Sequence, residues 1–301
     1  MELEKNIFKL YLVNDFQSSW LQKNRVLVWL KILKTDQVKT NYIELKNKIA
    51  MNQKHDSIEE TINLDVNRSL HMHSDKINPN QLQSLLRVFA YYNADISYCQ
   101  GMNYIAGFLY LNILDEAETY KAFETVMNSY FSLLLTDNFE YLKVVFYQIE
   151  RLLSIFLPEL EQHLKQQNVY SNYYATGWLI TIFSCVFQYT KNSFLLCTIW
   201  DFFLCEGWKG FFKCLLWVLK FIQPKLMKMD FDELLHCMSE LIKSDIFICD
   251  FQSMIQKGIF ANAEQLKKEI NTFKVTNSLL KNLENEYNCY ILNVKKKLQI
   301  Q

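Results

Sequence analysis

Apolar residues recur at helical spacing along most of the chain. Leu82, Leu85, Leu86 and Phe89 share one helix face behind Asn78-Pro79, a pair that reads as N-cap and first turn. A second stripe begins near Met102 and continues through Ile105, Ala106, Leu109 and Ile113. A third, formed by Phe146, Ile149, Leu152, Leu153 and Phe156, stops near Pro158. Residues 178–187, 194–204 and 211–222 are apolar nearly all round, which predicts helices in the innermost layer of the second half. Residues 231–242 are more amphipathic, and 263–298 read as one or two charged helices. No stretch alternates with period two and no fixed repeat stands out, so the expectation is an all-α chain with essentially no sheet.

Composition agrees with that pattern. Half of the 301 residues are hydrophobic, enough for a sizeable core, and six Gly and three Pro are too few for the turns of a β-sandwich or barrel. The pattern changes near residue 150, from loop-interrupted amphipathic helices to longer apolar ones. Two helical lobes sharing a seam are expected, at about 19–150 and 151–260. An N-terminal extension (1–18) precedes them and a charged helical segment (261–301) follows.

Charge and cysteine content narrow the function. Formal net charge is zero, so no global field draws the chain to nucleic acid or an anionic membrane. The run Lys295-Lys296-Lys297 reads as a solvated helix end. None of the eight cysteines form a C-x-x-C pair, and most lie in apolar runs as small hydrophobes, which points to the inside of a cell. His71-Met72-His73 reads as a polar loop, and no metal site is expected because the five histidines are scattered. The start, MELEKNIFKL, lacks the apolar core of a secretory signal. Residues 166–190 carry no charge, but only 178–187 are densely apolar, too short for a transmembrane segment.

Two segments do not follow packing logic: Ile62-Asn63-Leu64-Asp65-Val66-Asn67-Arg68 and Tyr98-Cys99-Gln100-Gly101-Met102-Asn103. Each is expected to end an irregular stretch just ahead of a helix, where a polar side chain can be presented outward. Together they resemble the TBC domain of Rab GTPase-activating proteins, whose hallmarks are I-x-x-D-x-x-R and Y-x-Q. Other matches follow in family order. They are Arg25 with Trp29, Leu157-Pro158-Glu159-Leu160, Tyr174-Ala175 through Trp178 to Phe183, and Ile199-Trp200-Asp201 with Glu206-Gly207. The resemblance covers roughly residues 19–260. Ser69 stands where many members have Thr, and Ser97 where many have Gly.

The resemblance implies a two-lobed TBC-type fold and activation of a Rab-family small GTPase in its GTP form. Arg68 would act as an arginine finger and Gln100 as a glutamine finger, both supplied in trans. Charge builds on the β- and γ-phosphate oxygens as GTP is cleaved, and a planar, always protonated guanidinium meets it with two N–H groups. An amide can hold the attacking water with one donor and one acceptor. Asp65, three residues before Arg68, would hold the guanidinium stem, and Tyr98 would fix the aim of Gln100. Arg25, Trp29, Trp178, Trp200 and Asp201 are read as structural, the aromatics filling the core and the charges capping helix ends. No cofactor of the chain's own is implied; GTP and Mg2+ belong to the partner GTPase. The setting implied is vesicle trafficking in the cytoplasm, with peripheral recruitment to endomembranes through partners. The rival reading is a catalytically silent TBC-fold module that binds a Rab or scaffolds an assembly.

Overall fold

Every regular element among the described residues is a helix. The computed structural model describes residues 18–51, 57–70, 77–93, 95–187, 193–239 and 263–298. His71-Met72-His73, Cys249 and the end of the 231–242 stretch lie outside them, as do the side chains of Ser69 and of Lys295-Lys296-Lys297.

The helices are α1 (Ser18–Leu33), α2 (Tyr42–Met51), α3 (Ser57–Leu70), α4 (Pro79–Tyr92), α5 (Met102–Ile113), α6 (Glu116–Val126) and α7 (Ser132–Leu135). They continue as α8 (Glu140–Phe156), α9 (Pro158–Gln166), α10 (Ser171–Thr181), α11 (Ser184–Phe187) and α12 (Ser193–Glu206). The last four are α13 (Trp208–Leu226), α14 (Phe231–Ser239), α15 (Ala263–Ile270) and α16 (Asn277–Leu298). Asn78 caps α4 as its sequence predicts, its side chain accepting from the N–H of Asn80 with Pro79 in the first turn. No helix among the described residues is long and apolar enough to cross a membrane.

Two compact units emerge, and neither is a continuous stretch of chain. The first is Met1–Asn138 with Gly177–Cys205; the second is Phe139–Thr176 with Glu206–Gln301. The division therefore does not follow a single seam near residue 150. Of the three apolar stretches expected in the core of the second half, 178–187 and 194–204 pack in the first unit, and only 211–222 lies in the second. A run of apolar residues dictates burial but does not say against what. The stretch 178–187 is also not one helix: Ile182 and Phe183 both have positive φ, which separates α10 from α11.

In the first unit, α3, α4, α5 and α6 pack successively against one another. Trp29 of α1, Phe108 of α5 and Trp200 of α12 form a buried aromatic cluster, with ring centroids 5.1–6.3 Å apart. Trp178 is buried against Phe183. Asp201, fully buried, accepts from Trp29 Nε1 at 2.8 Å and from Arg25 Nε and Nη2 at 3.2 Å. Arg25 and Asp201 thus do not cap helix ends. Both sit inside their helices and join α1 to α12 by a buried ion pair. A cap would have served one terminus; here the charge is satisfied across the interior, by a forked donor and an indole N–H.

The second unit closes around α8 and α13. Gln148 donates to the carbonyl of Leu280 at 2.9 Å, and Trp217 Nε1 donates to Glu269 at 3.0 Å. Leu266 and Ile270 of α15, Leu283 of α16, and Phe273 and Val275 between the two helices are buried, so this charged segment turns apolar side chains into the unit.

Candidate functional site

The arginine segment is helical throughout. Residues 57–70 contain no Gly or Pro, acidic Glu59 and Glu60 occupy the first turn, and Ile62 and Val66 point inward one turn apart. I-x-x-D-x-x-R therefore lies within α3, with Arg68 in its last turn, and not in an irregular stretch ahead of a helix. The i and i+4 pairing of Ile62 and Val66 keeps the helix going where the polar residues between them suggested a loop. It also divides the side chains: Asp65 turns inward and is buried, while Leu64, Asn67 and Arg68 face out.

The glutamine segment lies in a turn between α4 and α5. Asn93 ends α4 and its carbonyl accepts from the N–H groups of Ile96 and Ser97 at 3.2 and 2.8 Å. Ser97 has φ 47°, a left-handed conformation that glycine adopts more easily. The turn then closes through Met102 N–H to the carbonyl of Cys99 at 3.1 Å. Gly101 enters α5 with φ 109°, and a Cβ placed there would come within 3.2 Å of Ile180. The positive φ is what favours glycine there; the Cβ contact is tight but falls on the end of a flexible side chain. Gln100, at the tip, is exposed.

Asp65 ties the two segments together. Its Oδ1 accepts from Arg68 Nη1 at 3.3 Å, its Oδ2 accepts from the Tyr98 hydroxyl at 2.8 Å, and its main-chain carbonyl accepts from Asn103 Nδ2 at 3.0 Å. Asn103 in turn accepts from the Gly101 N–H at 3.2 Å. Glu59 and Arg87 add an ion pair between α3 and α4. Burial, and then the bond to Asp65, push the Tyr98 hydroxyl well above its ordinary pKa, so it remains a neutral donor. Burial also raises the Cys99 thiol, with the Asp65 charge adding to it, which keeps the sulfur protonated and poorly nucleophilic.

This arrangement suits an offered charge. The Arg68 side chain is 61% exposed, whereas that of Asp65 is 4% exposed. The guanidinium is bonded through Nη1 to the buried Asp65 carboxylate at 3.3 Å, and the rest of it is exposed and can reach a stronger anion. Of the residues singled out from sequence, Asp65, Arg68, Tyr98 and Gln100 come together here. Arg25, Trp29, Trp178, Trp200 and Asp201 stand in the packing of the same unit. Asn103 lies in the quoted glutamine segment, but the sequence reading assigned it no role. The available signal for Asn103 was a lone amide between Met102 and Tyr104 in an apolar stripe. Among the described residues no group of three or more His, Cys, Asp or Glu could hold a metal ion.

The fold is that of TBC domains. The structure matches the crystal structure of the Ypt/Rab-GAP domain of Gyp1p with a TM-score of 0.63 at 16% identity, over 85% of this chain and 93% of that one. It matches the Chlamydomonas flagellar RabGAP TBC domain with a TM-score of 0.61 at 18% identity, over 82% and 89%. The Rab-GTPase-TBC domain pattern matches residues 22–227, and the chain belongs to that family. It is 30% identical over 208 residues to the GTPase-activating protein GYP5 of Saccharomyces cerevisiae, covering 67% of this chain and 22% of that protein. To the Rab GTPase-activating protein tbc-11 of Caenorhabditis elegans it is 28% identical over 183 residues, covering 58% and 19%. The chain thus spans about a fifth of the length of these curated relatives.

Proposed function

We propose that this chain is a GTPase-activating protein for a Rab-family small GTPase in its GTP form. Arg68 meets the charge that develops on the phosphate oxygens, and Gln100 orients the attacking water. The chain brings no cofactor; GTP and Mg2+ come with the partner. The observation that supports this reading is the exposure of both side chains on elements tied to a single buried carboxylate, Asp65. Two reactive groups that must meet one transition state need such a shared frame, because misplacement by about 1 Å can cost on the order of 100-fold in rate. The family setting of such an activity is vesicle trafficking, with a cytoplasmic chain recruited to endomembranes through its partners.

The test is single-turnover phosphate release from a panel of GTP-loaded Rab proteins. Each GTPase is used as wild type and with its own water-orienting glutamine changed to leucine. With Gln100 supplying that function, the glutamine-less GTPase keeps a substantial part of the stimulation, and Gln100→Ala removes most of it on the wild-type GTPase. A Gln100→Ala chain as active as wild type, with no response from the glutamine-less GTPase, would leave an arginine-only activator. Binding to a Rab without stimulation would leave a silent binding module.

A further inference from the structure

Asn103 is 1% exposed in the first turn of α5, among Met102, Ile105 and Ala106. A buried amide in such surroundings costs free energy unless both of its ends are bonded. Here both are, and the two bonds join different elements. Nδ2 donates to the main-chain carbonyl of Asp65 at 3.0 Å, and Oδ1 accepts from the N–H of Gly101 at 3.2 Å. A helix carbonyl has a second lone pair to offer such a donor.

We propose that Asn103 is a positioning residue that fixes where Gln100 stands relative to Arg68. The Gly101 N–H belongs to the peptide plane that links Gln100 to Gly101. Holding that N–H fixes the plane, and with it the direction in which the Gln100 side chain leaves the main chain. On the other side of Gln100, the Tyr98 hydroxyl is held on Asp65 Oδ2 at 2.8 Å. The glutamine tip is therefore bracketed by two clips that both end on Asp65, the residue that also bonds Arg68. Tyr98 grips the carboxylate, which moves with its side-chain torsions. Asn103 grips the main chain of α3, which does not, so the rigid part of the frame passes through Asn103. The inference rests on the reading that Gln100 orients the attacking water.

The experiment has a catalytic arm and a structural arm. In Asn103→Ala the maximal stimulated rate of single-turnover phosphate release should fall by about 10–100-fold. The activator concentration at half-maximal rate should stay within about twofold, since the groups that meet the GTPase are untouched. The double variant Asn103→Ala/Gln100→Ala should be no slower than Gln100→Ala alone, because Asn103 acts only through Gln100. Asn103→Asp keeps an acceptor for Gly101 but loses the donor to Asp65, and should also lose rate. Amide hydrogen exchange of the wild-type chain should show the Gly101 N–H protected, and thermal melts report whether each variant is folded.

An Asn103→Ala chain at the wild-type maximal rate overturns the proposal. So do losses that multiply in the double variant, full activity in Asn103→Asp, or rapid exchange at Gly101. A wild-type chain inert on every Rab overturns the functional reading and this inference with it. An active wild type with an unaffected Asn103→Ala overturns the inference alone.

Discussion

Tyr98 donates its hydroxyl to Asp65 Oδ2 at 2.8 Å, while the other oxygen of the same carboxylate accepts from Arg68. Thirty-three residues separate the two in sequence. The bond makes the helix that carries the arginine and the turn that carries the glutamine parts of one rigid object. Tyr98→Phe removes the hydroxyl and keeps the ring. A buried carboxylate oxygen then loses its donor, and stability should fall by about 1–3 kcal/mol in urea titrations. Stimulated hydrolysis should fall as well, through loss of the common frame.

The same tyrosine makes stability depend on alkaline pH. Its folded pKa lies above the unfolded value, by burial first and by the bond to Asp65 second. From about pH 10 the unfolded chain loses the phenolic proton that the folded chain keeps. The unfolded state then binds fewer protons, so the stabilisation is complete below pH 10 and declines above it. Tyr42 and Tyr120 shift in the same direction, also chiefly by burial, and add to the decline. Denaturant midpoints from pH 8 to 11 should show this fall, and Tyr98→Phe should reduce its steepness.

Substitution of Arg68 should separate activity from stability. Its side chain is largely exposed, and a screened ion pair of this kind contributes little to folding. Arg68→Ala should leave the melting curve within about 0.5 kcal/mol of wild type while lowering stimulated hydrolysis by on the order of 1000-fold. Arg68→Lys should recover little of it, because a compact ammonium cannot bridge two oxygens as a guanidinium does. Full activity in Arg68→Lys would remove the arginine-finger assignment.

The glutamine turn contains two left-handed residues with opposite expectations. Ser97, at φ 47°, holds a conformation that glycine adopts without strain, so Ser97→Gly should be neutral or stabilise by up to about 1 kcal/mol. Gly101→Ala combines an unfavourable φ of 109° with a Cβ 3.2 Å from Ile180. It should destabilise by about 1–3 kcal/mol and displace Gln100. Paired thermal melts and phosphate-release rates distinguish the two.

The core of the first unit should tolerate little. Trp200→Ala opens a cavity beside Trp29 and Phe108 and should cost about 3–5 kcal/mol. Asp201→Ala removes the carboxylate that accepts from Arg25 and from the Trp29 indole N–H and breaks this buried pair, and a loss of about 3–5 kcal/mol is expected. An unchanged melt for either variant would show that the α1 to α12 junction is not central to the unit.

How far the sequence reached can be followed residue by residue. Helical spacing located α4, α5 and α8, and Asn78-Pro79 marked one of their starts, because caps and amphipathic faces are local properties. The two polar segments were visible as departures from that spacing, and their motifs led to the family. Local pattern misjudged the arginine segment, where Ile62 and Val66 carry the helix through residues that look like a loop. It also assigned Arg25 and Asp201 to helix ends. Nothing in either neighbourhood announces a partner 176 residues away.

The sequence alone determined the helical class, the burial of the long apolar runs, and the presence of an arginine and a glutamine in recognisable settings. Each depends on side chains within one or two turns of one another. Tertiary structure decided how residues 177–205 join the first unit, and how Asp65 serves Arg68, Tyr98 and Asn103 at once. Those choices depend on which surfaces meet. A hydrophobic stripe is compatible with many partners of similar shape, and a buried carboxylate with any nearby donor. Only the packed chain selects among them, by requiring that every buried polar group find its bond within the same close-packed interior.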